Sequence, residues 1–387
     1  MKELELYIHI PFCVEKCLYC DFLSAPPHSN EAELYLHVLQ QEIRQKAPRF
    51  QSFQVVSIFI GGGTPSMLPG ELIGELLDCV RKYFSVEGNA EITIECNPGT
   101  LDEKKLQAYK SAGINRLSVG LQSSNDILLK KLGRIHTYSQ FLNNFYTARD
   151  LGFYNINVDL MYGLPYQTSG TLRATLEDVV RLEPEHLSVY GLILEEGTPF
   201  YEIYGDDAKR RERGEVPSFL PSEYEETQMD RIIRAVLDDA GYKRYEISNY
   251  ARAGQFCRHN IGYWTGVEYL GLGLGASSYL RTGNTYVRSR NCTGLHRYLR
   301  GHVYAEEEQT LTLENRIEEF MFLGLRMTEG ISRRAFAARF GRQIEEVYGP
   351  VLNKLYGREL LAHYGDRILL TGRGMDVSNV VLSEFLL

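Results

Sequence analysis

The chain has 387 residues, 44% of them apolar and 24% charged, an ordinary globular composition that excludes a disordered, collagenous or coiled-coil protein. Its formal net charge of −8 speaks against a broadly basic nucleic-acid surface, and no apolar run approaches the ~18 residues of a membrane span. Seven cysteines are an odd number and too few for a disulfide framework in a chain this long.

The opening MKELELYIHIPF alternates like a strand and lacks the apolar centre and cleavage site of a secretion signal, so a soluble cytoplasmic protein is expected. Strands are predicted at residues 4–10, 55–60, 91–96, 116–121, 155–161 and 186–194, with helices at 31–46, 69–83, 102–112, 138–151 and 170–182 between them. Asp102 is placed to cap the third helix and Gly113 to stop it. Strands alternating with helices, with little two-residue period inside the strands, predict a parallel sheet covered by helices. Right-handed crossovers make of this either an open doubly wound sheet or a full or partial α/β barrel, and periodicity does not choose between them.

Beyond residue 205 the texture changes. Residues 206–215 are a mixed charge run, read as a solvated loop or helix face. A helix at 222–240 and a strand at 244–251 follow. The glycine-rich run 269–280 lacks the strand–turn–helix setting of a nucleotide loop and reads as a close-packed turn. From residue 311 the pattern is helical, then a hairpin around Tyr364, Gly365 and Asp366 and a last helix, together like a winged helix. The favoured reading of this region is a docking domain over the barrel mouth. The expected division is 1–205, 206–300 and 301–387.

Cys13, Cys17 and Cys20 follow the first strand directly, spaced C-x3-C-x2-C. Three thiolates in one loop need a positive centre to neutralise them. Zinc would usually take a fourth protein ligand, and no second C-x2-C pair is present, although His9 and Asp21 lie near. An iron–sulfur cube on three cysteines leaves one iron open to a small molecule. The residues favour iron–sulfur and leave zinc open. Further along, the predicted strands end in Gly62, Gly63 and Thr64, in Glu95, and in Gln122, and the fifth carries Asp159. In an α/β barrel these ends would converge on one mouth.

IHIPFCVEKCLYCDF, with Tyr19 just before the last cysteine, together with GGGTP at 61–65, resembles the radical S-adenosylmethionine (SAM) superfamily. Nearly the whole chain resembles its oxygen-independent coproporphyrinogen III oxidase-like family. That resemblance implies an α/β fold, a partial (β/α)6 TIM-like barrel with a helical, winged-helix-like C-terminal domain. It implies a [4Fe–4S] cluster on Cys13, Cys17 and Cys20. SAM would fill the open corner, held by Tyr7, Tyr19, Gly62, Gly63, Thr64, Glu95, Gln122, Arg134 and Asp159.

The family has two functional classes. The oxidases remove carboxyl groups from propionate side chains, starting from a deoxyadenosyl radical. They carry a fourth cysteine two residues past the third, where this chain has Phe22, so decarboxylation is not expected. The haem chaperone branch (HemW-type) is marked by H-N-x-x-Y-W, present here as His259, Asn260, Tyr263 and Trp264. The resemblance makes His259 a candidate haem ligand, with the aromatics against the macrocycle. On the residues alone, a hydrogen-bonded core histidine among core aromatics is the commoner situation. Cys257 reads as a secondary haem contact or, like Cys79 and Cys292, as a small buried hydrophobe. Haem, its acceptor proteins and a second copy of the chain in a homodimer are the expected partners. Modification of tRNA finds support only in the arginine-leaning C-terminal region and is opposed by the acidic net charge.

Overall fold

A computed structural model describes residues 1–387. Its core is a row of six parallel strands, β1 (Lys2–Ile10), β2 (Phe53–Gly62), β3 (Val86–Cys96), β4 (Arg116–Gln122), β5 (Ile156–Tyr162) and β6 (His186–Gly191). They are linked through α1 (Glu31–Lys46), α2 (Gly70–Tyr83), α3 (Glu103–Ser111), α4 (Asp126–Lys131), α5 (Tyr138–Asp150) and α6 (Ser169–Val180). The strands neighbour one another in chain order from β1 to β6. A doubly wound sheet would reverse that order midway, so this is the partial barrel. Local chemistry sets the helix ends as expected. Asp102 accepts a hydrogen bond from the Lys105 amide, and Thr137 and Thr168 each close a capping box at the start of α5 and α6.

One expectation fails inside the strands. In β1 the residues Leu4, Leu6, Ile8 and Ile10 face the apolar shell under the helices. The alternate residues Glu5, Tyr7 and His9 therefore point into the barrel. The strands do carry a two-residue period; it is hidden because the interior is polar and just as buried.

The barrel does not close on itself. β6 is followed by α7 (Pro199–Glu212), which carries most of the charge run on a helix face, and by α8 (Glu223–Asp239). The predicted strand at 244–251 is two short strands, β7 (Lys243–Arg244) and β8 (Asn249–Ala251), the latter antiparallel to β6. The turn between them is held by the Glu246 carboxylate, which accepts from the Ser248 amide at 2.6 Å and from Asn249 at 2.7 Å. After α9 (Arg258–Thr265), strand β9 (Tyr269–Leu272) adds to the free edge of β1 in parallel. Strands β10 (Ser277–Thr282), β11 (Thr285–Asn291) and β12 (Ala305–Thr310) extend the sheet antiparallel. The glycine-rich run expected as a single turn is instead β9, a close turn at 273–276 and most of β10, and a Cβ on Gly271 would fall 2.2 Å from the Ser277 carbonyl oxygen. The strands flanking that turn escaped the sequence pattern.

The C-terminal region packs around its own apolar cluster. After α10 (Leu295–Leu299), whose Tyr298 belongs to the barrel core, its elements run α11 (Leu313–Gly324), β13 (Ile331–Ser332), α12 (Arg333–Phe340) and α13 (Ile344–Gly357), then the hairpin β14 (Leu361–Tyr364) and β15 (Arg367–Leu370). From α11 onward this is the element order of a winged helix. It does not cover the mouth. It sits against α9, with Arg326 4.4 Å over the Trp264 ring and the Thr328 amide bonded to the Tyr245 carbonyl. Arg258, at the start of α9, pairs with Glu3 and Glu87 near the beginnings of β1 and β3, so this is the opposite end of the barrel. No helix is long and apolar enough to cross a membrane.

The added strands are pinned to the barrel by one carboxylate. Glu42 of α1 is fully buried and accepts from Tyr298 (2.6 Å), Asn291 (2.8 Å), the Gly273 amide (2.9 Å) and Lys46 (2.6 Å). Glu42→Ala takes an acceptor from all four donors and leaves the Tyr298 hydroxyl and the Gly273 amide without one. It should cost about 3–5 kcal/mol, read as a lower denaturation midpoint in urea. A loss below about 1 kcal/mol would mean the strands are held by apolar packing instead.

Candidate functional site

The carboxyl ends of the strands surround a cavity of about 720 Å³. Cys13, Cys17 and Cys20, Tyr19, Gly62, Gly63 and Thr64, Glu95, Gln122, Arg134 and Asp159 all line it. Eleven side chains or backbones drawn from widely separated segments thus meet in one place, as the polar strand ends predict.

The glycines are there for shape. Gly62 has φ +109°, and a Cβ on it would lie 2.3 Å from the His9 ring. One on Gly63 would lie 2.5 Å from the Phe12 carbonyl oxygen. No other residue fits at either position. The amides of this segment are already used: Gly62 donates to Glu95 Oε2 (2.9 Å), Gly63 to the Ile10 carbonyl (2.8 Å) and Thr64 to the Phe12 carbonyl (2.6 Å). The segment therefore offers a ligand carbonyl oxygen, an acceptor suited to an ammonium group.

Gln122 has φ +70°, rare for a residue with a side chain. The β4–β5 register slips between Gly120 and Gln122, and this irregularity sits at the strand end beside the cavity. Burial raises the Glu95 carboxyl to about 7 against the opposing bond from Gly62. Burial raises Asp159 as well, opposed by hydrogen bonds from Asn157 and Ser188. Arg134 comes from the turn after α4. Its Nη1 reaches Cys17 Sγ at 3.4 Å and its Nη2 bonds Asn97 Oδ1 at 2.7 Å, while its buried Nε has no partner in the protein.

The cysteine loop carries the donors for a metal group. The Thr64 hydroxyl lies 3.5 Å from Cys13 Sγ, so a hydroxyl and a guanidinium both face sulfur, as suits thiolates. No three His, Cys, Asp or Glu side chains converge closely enough to chelate a single ion. His9 is not a fourth donor, because its Nδ1 meets the Tyr7 hydroxyl at 3.0 Å and its Nε2 the Leu23 carbonyl at 3.0 Å. Three sulfurs on one wall with no fourth protein ligand fit a cluster that keeps a corner free.

Two predicted residues lie apart from this cavity. Tyr7 sits one layer down, bonded to His9 and stacked on Phe59. His259 is at the far end of the barrel and is 1% exposed. Its ring stacks on Phe59 at 5.2 Å and meets Tyr263 edge-on at 4.9 Å, with Nδ1 2.8 Å from the Ser57 hydroxyl. This is the setting of a buried structural histidine, and an iron could reach its unpartnered Nε2 only if α9 moved. Cys257, Cys79 and Cys292 are buried, as small hydrophobes would be.

Helix α9 is a plug. Its first amides, from Arg258 and His259, donate to the Glu91 carboxylate at 3.0 and 3.1 Å. Gly262 lies directly over Glu5, where a Cβ would fall 2.0 Å from a carboxylate oxygen. Glu5 and His259 stand 3.9 Å apart but do not form an ion pair at neutral pH. Burial raises Glu5 to about 8 and lowers His259 to about 3.

The sequence reading missed Ser118, which also lines the cavity, and the floor residues Glu5, Ser57, Glu91 and Arg116. Their only signal was a polar residue at alternate positions of an otherwise apolar strand.

Residues 7–179 match the radical SAM superfamily profile and residues 311–377 the HemN C-terminal domain. The solved structure of coproporphyrinogen III oxidase (HemN) from Escherichia coli superposes with a TM-score of 0.84 at 24% identity, covering 100% of this chain and 90% of that one. That likeness speaks for the fold alone. Barrel, cysteine loop and glycine segment together define a radical SAM protein. The haem chaperone HemW of Bacillus subtilis (strain 168) is 37% identical over 386 residues, 98% of each chain. That of Lactococcus lactis subsp. lactis is 36% identical over 391 residues, 100% of this chain and 98% of its own. The chain belongs to the haem chaperone HemW family.

The floor makes a pH prediction. Folded Glu5 keeps its proton up to about pH 8, against an ordinary value of 4.5. The stability this contributes is complete below pH 4.5 and is lost as pH rises to about 8. Glu5→Gln carries no such charge, so its melting temperature relative to the parent should improve steadily from about pH 5 to 8 and then level off. A difference that ignores pH would mean Glu5 does not titrate in that window.

Proposed function

We propose that the protein is a haem chaperone, binding haem and passing it to acceptor proteins, built on a radical SAM scaffold. The observation that carries this reading is a pairing. Phe22, 60% exposed at the rim of the cavity, occupies the position where the oxidase class has its fourth cysteine, while the HNxxYW segment is intact in α9. Full-length identity with proteins of that name supports it.

In this reading Cys13, Cys17 and Cys20 hold a [4Fe–4S] cluster. When bound, the cluster offers an open iron to the amino and carboxylate groups of SAM. The Gly62–Gly63 carbonyls and the neighbouring Glu95 receive the ammonium end. The free Nε of Arg134 faces the carboxylate, and Gln122, Asp159 and Tyr19 shape the remaining wall. Tyr7 acts from below, orienting His9 under the glycine segment. His259 is a positioning residue that seats α9 on the barrel floor. Residues 1–205 would supply the cofactor barrel, 206–300 the extension that carries the HNxxYW segment and 301–387 the docking domain. All seven cysteines are unpaired, in keeping with a reducing, cytoplasmic setting.

One anaerobic preparation tests the proposal. After cluster reconstitution, haem titration should produce a saturable Soret band, and coproporphyrinogen should not be decarboxylated. Replacing Cys17 with serine should abolish the brown cluster chromophore. Turnover of coproporphyrinogen without haem uptake would overturn the reading in favour of the oxidase.

A further inference from the structure

A second cleft, of about 770 Å³, opens on the far side of α9, between it and the C-terminal domain. One wall is Trp264, with Phe320, Leu323 and Met327 of the α11 region opposite. The charges are uneven: Arg316, Arg339 and Arg367 line it against the single carboxylate of Glu319, a net charge of two positive.

Two of these arginines are unspent. Glu319 is already held by Arg288 at 2.8 Å, and Arg367 is drawn to Glu329 at 3.7 Å. Arg316 and Arg339 have no carboxylate partner. They lie 5.2 and 5.6 Å from the same Tyr286 ring, so the two like charges share one aromatic neighbour. Arg339 bonds only the Tyr279 hydroxyl, at 3.2 Å. The Arg316 Nε and the Trp264 indole N–H are both buried without an acceptor. Buried donors left orphaned are costly. Here they describe the missing ligand: a flat apolar body with two anionic groups at one edge.

We propose that haem binds in this cleft, its ring against Trp264 and its two propionates on Arg316 and Arg339. The proposal rests on the chaperone reading and gives it a place. It also divides the HNxxYW segment by face. His259 and Tyr263 point into the barrel floor, and Trp264, the chain's single tryptophan, points into the cleft. Met327 is the lining residue with a sulfur that an iron could accept. The haem would then lie at the opposite end of the barrel from the cysteine cavity, outside it, where an acceptor protein could approach without passing the cluster.

The test uses the full chain and two ligands, haem and its dimethyl ester, titrated by the Soret band. The parent should bind haem at least about tenfold more tightly than the ester, because esterification removes both charge-assisted pairs. The double variant Arg316→Ala/Arg339→Ala should lose at least about tenfold in haem affinity and bind both ligands alike. Arg281→Ala, on the exposed β10–β11 hairpin, should match the parent. Equal affinity of the parent for acid and ester, or a double variant that still prefers the acid, overturns the cleft while leaving the chaperone reading intact. A parent that binds neither ligand removes the chaperone reading and the cleft together. The ester comparison needs only the parent chain, so it stands even if the double variant folds poorly.

Discussion

The structure depends on how a six-stranded, unclosed barrel with a polar interior is kept from taking up water at its lower end. Glu5, Ser57, Glu91 and Arg116 are all buried there, and each would be costly without a neighbour. Helix α9 answers this with its own unsatisfied ends. Its first amide groups are spent on Glu91, which is both a cap and a favourable charge at the positive end of the helix dipole. Because Gly262 has no side chain, the helix can lie flat over Glu5. Everything after α9 follows from that seat. Gly266 ends the helix in the left-handed conformation, the chain turns up into β9 beside β1, and the C-terminal domain packs on the outer face of the plug.

Much of this was legible in the residues. The six core strands and five helices were readable because each combines an apolar run with a local stop or cap, such as Asp102 or Gly113. The cavity was readable because its chemistry is concentrated at strand ends, where polar residues interrupt apolar runs. The later strands were only partly readable. β7 and β8 have two and three residues, too few for a period of their own, so they read as one strand, and β9 is a glycine-rich strand whose identity comes only from pairing with β1. The floor was hidden for a different reason. Glu5 and Arg116 look like surface residues in a linear pattern, and only the curl of the sheet with α9 across its lower end makes them interior. The location of the C-terminal domain was likewise a tertiary fact; helical patterning says that a helix has an apolar face, not which surface receives it.

The two ends of the barrel carry different kinds of information. The mouth is built from backbone shape and buried polar groups, which under the proposed function would specify a cofactor rather than a task. The features on which the proposed branch rests are an exposed aromatic, Phe22, at its rim and α9 with its two-faced segment at the floor. A barrel of this type can therefore change its work without altering its cofactor cradle.

Trp264 has one more consequence. It is the sole indole in the chain, and it sits at the seam where α9 meets the C-terminal domain, with the Arg326 guanidinium stacked 4.4 Å over its ring. A cation at that distance perturbs the excited state of an indole, so the colour and intensity of its emission register how firmly the two halves of the molecule are pressed together. The protein thus carries a built-in optical gauge at the joint between its halves.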